Sequence, residues 1–83
     1  MVSVKRSLQF SFLFERRDGS YYGAALDASR NEHIAYIICP DGTVYERSDT
    51  FPLRGWKYLP ITEAERVRNS AAAVLGHIPA YRG

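Results

Sequence analysis

The sequence predicts an α+β fold: a four-stranded antiparallel sheet of two hairpins, with one C-terminal helix packed on one face. Three observations carry this. Apolar residues alternate over 8–14, two Asp-Gly pairs punctuate apolar runs, and one stretch near the C-terminus spaces its apolar residues three and four apart.

Ser7 to Phe14 reads as the first strand, with Leu8, Phe10, Phe12 and Phe14 on alternate positions and Ser7, Gln9 and Ser11 between them; Leu13 breaks the polar set. Asp18-Gly19 signals a two-residue hairpin turn, because both residues accept positive φ, and Tyr21 to Leu26 follows as the second strand. With Asp18 and Gly19 at the turn centre, Phe14 faces Gly23 and Phe12 faces Ala25. Rings over small side chains then form the face expected to receive the helix.

Ala28 to Glu32 is polar and turn-prone, and His33 to Cys39 is a third strand whose unbroken apolar run predicts burial on both faces. In Cys39-Pro40-Asp41-Gly42-Thr43, proline presets the first corner, aspartate bonds locally and glycine takes the left-handed position of a bulged three-residue hairpin. The fourth strand runs from Thr43 to about Asp49. Residues 51–60 hold two prolines, a glycine and the large apolar Phe51, Leu53, Trp56, Tyr58 and Leu59, a packed crossover loop with a short strand near Trp56 to Leu59. Thr62 and Glu65 form a capping box, opening a helix with apolar Ala64, Val67, Ala71, Val74 and Ile78. Gly76 and Pro79 predict its end near Leu75.

A chain of 83 residues suits a single compact domain spanning 1–83, short of the volume needed to enclose a deep active site beside its core. At 46% hydrophobic and 24% charged it is expected to be ordered. Its one cysteine, Cys39, forms no internal disulfide, and polar residues interrupt the apolar ones near the N-terminus as they do not in a signal peptide or a membrane span. A cytoplasmic location is expected, the host cytoplasm if a phage encodes the chain. The net charge of +2 is too mild to argue for nucleic acid alone, but nine of the eleven basic residues are arginine, whose planar fork suits contact surfaces.

Catalysis needs a nucleophile with a base, or an acid with a base, beside a pocket. His33 starts a strand, His77 follows the helix, Cys39 adjoins a turn, and no carboxylate is placed beside either histidine. Nor do two histidines and one cysteine so far apart match a metal-ligand spacing. The chain is therefore expected not to be an enzyme, and to use no cofactor and no metal.

Two resemblances bear on this. Asp41-Gly42-Thr43-Val44-Tyr45, with Arg47 and Leu59-Pro60, resembles the stretch preceding the catalytic strands of barnase-like microbial ribonucleases, implying a small nuclease. That family's later catalytic glutamate, strand arginines and terminal histidine have no counterpart where the helix is predicted. The order of four strands and then a helix is similar to Whirly, PUR and single-strand-binding coactivator domains, with Lys57 to Thr62 entering the helix as in the last, which implies single-stranded nucleic acid.

One helix of about 14 residues, roughly 20 Å long, covers one face of such a sheet. Either the 51–60 loop closes the other face with Phe51, Leu53 and Trp56, or that face is an interface. The candidate binding residues are Arg16, Arg17, Arg47, Arg54 and Lys57 with Tyr22, Tyr45, Trp56 and Tyr58. The expected function is non-catalytic protein binding that inhibits or regulates a larger macromolecule, as small phage and mobile-element proteins do. The alternative partner is single-stranded nucleic acid on the open face, where basic groups and rings combine; a homodimer is a further option, and no membrane partner is expected.

Overall fold

A computed structural model of the chain describes residues 8–28, 30–49 and 52–76. Its elements are β1 (Leu8–Glu15), β2 (Tyr21–Asp27), β3 (Glu32–Ile38), β4 (Val44–Ser48), a 3-10 turn (Pro52–Arg54), β5 (Lys57–Tyr58) and α1 (Ile61–Leu75). The strands form one antiparallel sheet in the order β1-β2-β3-β4-β5. The α+β prediction holds, and the short strand foreseen in the crossover loop is a fifth member.

Both hairpins use the same three-residue turn. Cys39 N–H donates to Thr43 O and Gly42 N–H to Cys39 O, while Arg16 N–H donates to Ser20 O and Gly19 N–H to Arg16 O. Gly42 and Gly19 take φ of +95° and +90°, the left-handed geometry the bulged turn requires. Asp41 and Asp18 accept from the backbone N–H of Thr43 and Ser20 at 2.9 Å, and bonds from those residues hold both carboxyls below the usual range.

The first turn therefore has one more residue than predicted. It pairs Phe14 with Tyr22 and Leu13 with Gly23, where the two-residue turn would have set Phe14 against Gly23. A β-bulge follows between Phe10 and Phe12: Ser11 is unmatched, and Phe10 pairs with Ala25. The bulge divides β1 between the two faces. Leu8, Phe10 and Leu13 point toward α1, whereas Phe12 and Phe14 lie on the opposite face, so the uniform phenylalanine face is corrected. Because the side-chain period is two, a one-residue shift changes which rings the helix can cover.

The core lies between sheet and helix: Leu8, Tyr21, Ala25, Ile34, Tyr36, Ile38, Val44 and Leu59 meet Ala64, Val67 and Ala71. Leu75 joins them while Val74 is 57% exposed, so the buried stripe runs 64, 67, 71, 75. The capping box does not form. The N-cap is Pro60, whose carbonyl accepts from Ala64 N–H at 2.9 Å, which puts Thr62 inside the first turn with helical backbone. Gly76 ends the helix in the left-handed conformation, φ 81°, with its N–H on Ala72 O. Ile78, His77 and Phe51 lie outside the described residues.

One polar network sits on the helix side. Asp27, 1% exposed, receives Arg30 at 3.2 Å and Arg66 at 3.4 Å, and Arg30 also reaches Glu46 at 3.0 Å. The hydrogen bond from Arg30 to Glu46 raises the guanidinium's already high pKa. Near these charges the Tyr36 hydroxyl is buried without a hydrogen-bond partner, and burial, then Glu46, pushes its pKa from 10.0 up to about 12.

The unfolded chain releases that proton near pH 10, so the contribution is fully present below pH 10 and is lost as pH rises toward about 12. Denaturant melts should show about 2–3 kcal/mol of stability lost across this window. Tyr36→Phe should flatten the alkaline decline without lowering stability at neutral pH, since it removes a hydroxyl that has no partner. An unchanged alkaline limb in that variant would contradict the assignment.

Candidate functional site: the helix-free face of the sheet

The face turned away from α1 is built from three cross-strand rows, one of which sets Gln9, Leu26 and His33 opposite one another across β1 to β3. Phe12, Ala24, Ala35 and Arg47 stand opposite one another across β1 to β4, and Phe14, Tyr22, Ile37, Tyr45 and Tyr58 form the next row across all five strands. Strand alternation, with the bulge at Ser11 shifting β1, gathers these residues.

Rings close over part of this surface. Phe12 and Phe14 stack with centroids 6.0 Å apart, and Tyr22 lies 5.8 and 5.7 Å from them. Trp56 meets Tyr22 edge-on at 6.4 Å, and Tyr45 meets Tyr58 at 6.0 Å. Ala24 and Ala35 are buried yet stand outside the helix-side core, so the larger side chains of this face cover them. Phe12, Phe14, Trp56 and Tyr58 nonetheless remain 44%, 52%, 37% and 67% exposed.

The crossover loop thus covers the face only in part. Trp56 reaches onto it, whereas Leu53 is fully exposed, so this segment of the loop makes no second core.

Arg47 is the cation of the face. Its guanidinium carbon lies 4.8 Å from the centroid of Trp56, a cation–π contact, and its Nε is buried with no hydrogen-bond partner. The strand register sends Asp27, Glu32, Glu46 and Ser48 to the helix side, and no strand residue of the helix-free face is a carboxylate; Asp49 comes one residue after β4.

Of the nine residues singled out from the sequence, Tyr22, Tyr45, Arg47, Trp56 and Tyr58 come together here. Arg16 and Arg17 occupy the exposed β1–β2 turn, and Arg54 lies in the 3-10 turn. Lys57 stands opposite Glu46, which assigns it to the helix side. Phe12 and Phe14 are the surface residues that sequence reasoning placed in the core. A signal existed for part of this: Asp18-Gly19-Ser20 matches Asp41-Gly42-Thr43, read correctly as a three-residue turn. No residue pattern announced the bulge.

Other features offer little chemistry. Burial, then Asp41 and Asp18, pushes the Cys39 thiol up, away from the thiolate a nucleophile needs. A cavity of about 210 Å³ between the second hairpin and α1 is smaller than usual small-molecule sites, and Arg68 on its wall already donates to Gly42 O at 2.6 Å. Among the described residues, no three His, Cys, Asp or Glu side chains group as metal ligands, and no helix is long and apolar enough to cross a membrane. No protein-family model, curated protein or solved structure matches the chain.

Proposed function

We propose that this chain is a non-catalytic binding module that docks another protein on the helix-free face of its sheet, and inhibits or regulates that protein by occupying its working surface. The supporting observation is the contiguous cluster of Phe12, Phe14, Tyr22 and Trp56, partly exposed and capped by Arg47. Apolar patches of this kind on small proteins mark interaction sites, and Trp, Tyr and Arg are the residues that dominate interface energetics.

The second reading, single-stranded nucleic acid on the same face, draws support from the lack of carboxylates among its strand residues. A tagged chain used as bait in lysate of the encoding organism separates the two. The expected result is a protein retained in stoichiometric amount after nuclease treatment. Material that disappears with nuclease, and whose binding falls steeply with salt, would replace the protein reading with the nucleic-acid one.

A further inference from the structure

Charge distribution on the docking face says what its partner must bring. We infer that the docked segment is acidic, setting a carboxylate against Arg47 while its apolar side chains cover Phe12, Phe14 and Trp56. This deepens the protein-docking reading of the face and rests on it.

Arg47 differs from the arginines on the other side of the sheet. Arg30 and Arg66 both contact carboxylates, whereas Arg47 has no ion pair among the described residues and a buried Nε–H without an acceptor. Its guanidinium is held over Trp56, and a planar guanidinium offers an edge that binds carboxylates in two-point fashion. The buried Nε–H is out of a docking group's reach, so a carboxylate would meet the terminal nitrogens of the guanidinium, which have no carboxylate partner among the described residues.

A second copy of the chain is a poor occupant. Docked face to face, it would offer Arg47 no strand carboxylate, and the register brings only Asp49, one residue after β4, to that side. Single-stranded nucleic acid fits less well than an acidic segment. Phe12 and Phe14 stack at 20°, but Tyr22 meets Phe12, Phe14 and Trp56 at interplanar angles of 40°, 57° and 70°, so the cluster as a whole presents no parallel row to successive bases. Among the described strand residues of the face a single arginine neutralises only one phosphate, a weak electrostatic hold for a polyanion.

The test is selection from a random displayed peptide library on the full chain, on Trp56→Ala and on Arg47→Gln. The wild-type bait should enrich peptides that place Asp or Glu beside aromatic or aliphatic residues. A selected peptide should bind it about tenfold tighter than the same peptide carrying Asn or Gln at those positions. Arg47→Gln should abolish that difference, and Arg47→Lys should keep part of it, with circular dichroism showing both variants folded. Peptides that depend on Trp56 but show no acidic preference would overturn this inference and leave the docking face standing. Pools from wild type and Trp56→Ala that match, or no enrichment on either, would overturn both.

Discussion

Trp56→Ala is expected to weaken binding of the protein partner at least about thirtyfold, the loss that follows from removing a central hot-spot side chain. The ring links the two halves of the face: its edge meets Tyr22, and its surface carries the guanidinium of Arg47. Truncation removes apolar contact area and also frees Arg47 from the position in which it can receive a partner's charge. Trp56 lies outside the helix-side core, so the variant should stay folded. Isothermal titration against the captured partner, beside a thermal melt, measures the two effects separately. Unchanged affinity in a folded variant would remove Trp56 from the interface.

Gly23→Ala is expected to destabilise the fold by about 2–3 kcal/mol, the upper part of the range for overpacking in a tight interior. Gly23 lies in the middle of β2, paired with Leu13 on one side and Tyr36 on the other. A Cβ there would come within 2.6 Å of Phe12 O and 2.8 Å of Leu13 Cδ1. The first obstacle is backbone beside the bulge, which cannot swing aside as a flexible side chain can. In a domain of this size such a loss is a large share of total stability.

Gly55→Ala provides the contrast. Its φ of +78° strains an L-residue, but nothing lies within 4 Å of the added Cβ, so its cost should stay near 1 kcal/mol. Urea denaturation of both variants compares steric and conformational costs. Equal losses would contradict the close approach of β1 to Gly23.

The fold was readable wherever local chemistry and the apolar pattern agreed. The run from Ile34 to Ile38 became a central strand, Pro40-Asp41-Gly42 made the bulged turn, and Gly76 ended the helix near Leu75. Misreadings arose where two local signals competed. Pro60 precedes Thr62 and, having no N–H to be satisfied, caps the helix through its carbonyl, so the N-cap lies two residues before the predicted one.

In β1 the alternating phenylalanines were a true strand signal, but facing depends on turn length and on the bulge at Ser11. Neither is encoded by the alternation itself. The site was therefore half legible: Tyr22, Tyr45, Arg47, Trp56 and Tyr58 were named from residue type, while Phe12 and Phe14 became visible only once register assigned them to the same face.

On the proposed reading the partner binds the helix-free face and not another exposed apolar surface. Among the described residues, Leu53 on the 3-10 turn and Ile61 and Val74 on α1 are the competing exposed apolar side chains. The most direct test repeats the nuclease-treated capture with two folded baits, Phe14→Ser with Trp56→Ala, and Leu53→Ser with Ile61→Ser. The first bait is expected to lose the partner and the second to retain it. A partner lost by the second bait and retained by the first would move the docking site off the helix-free face.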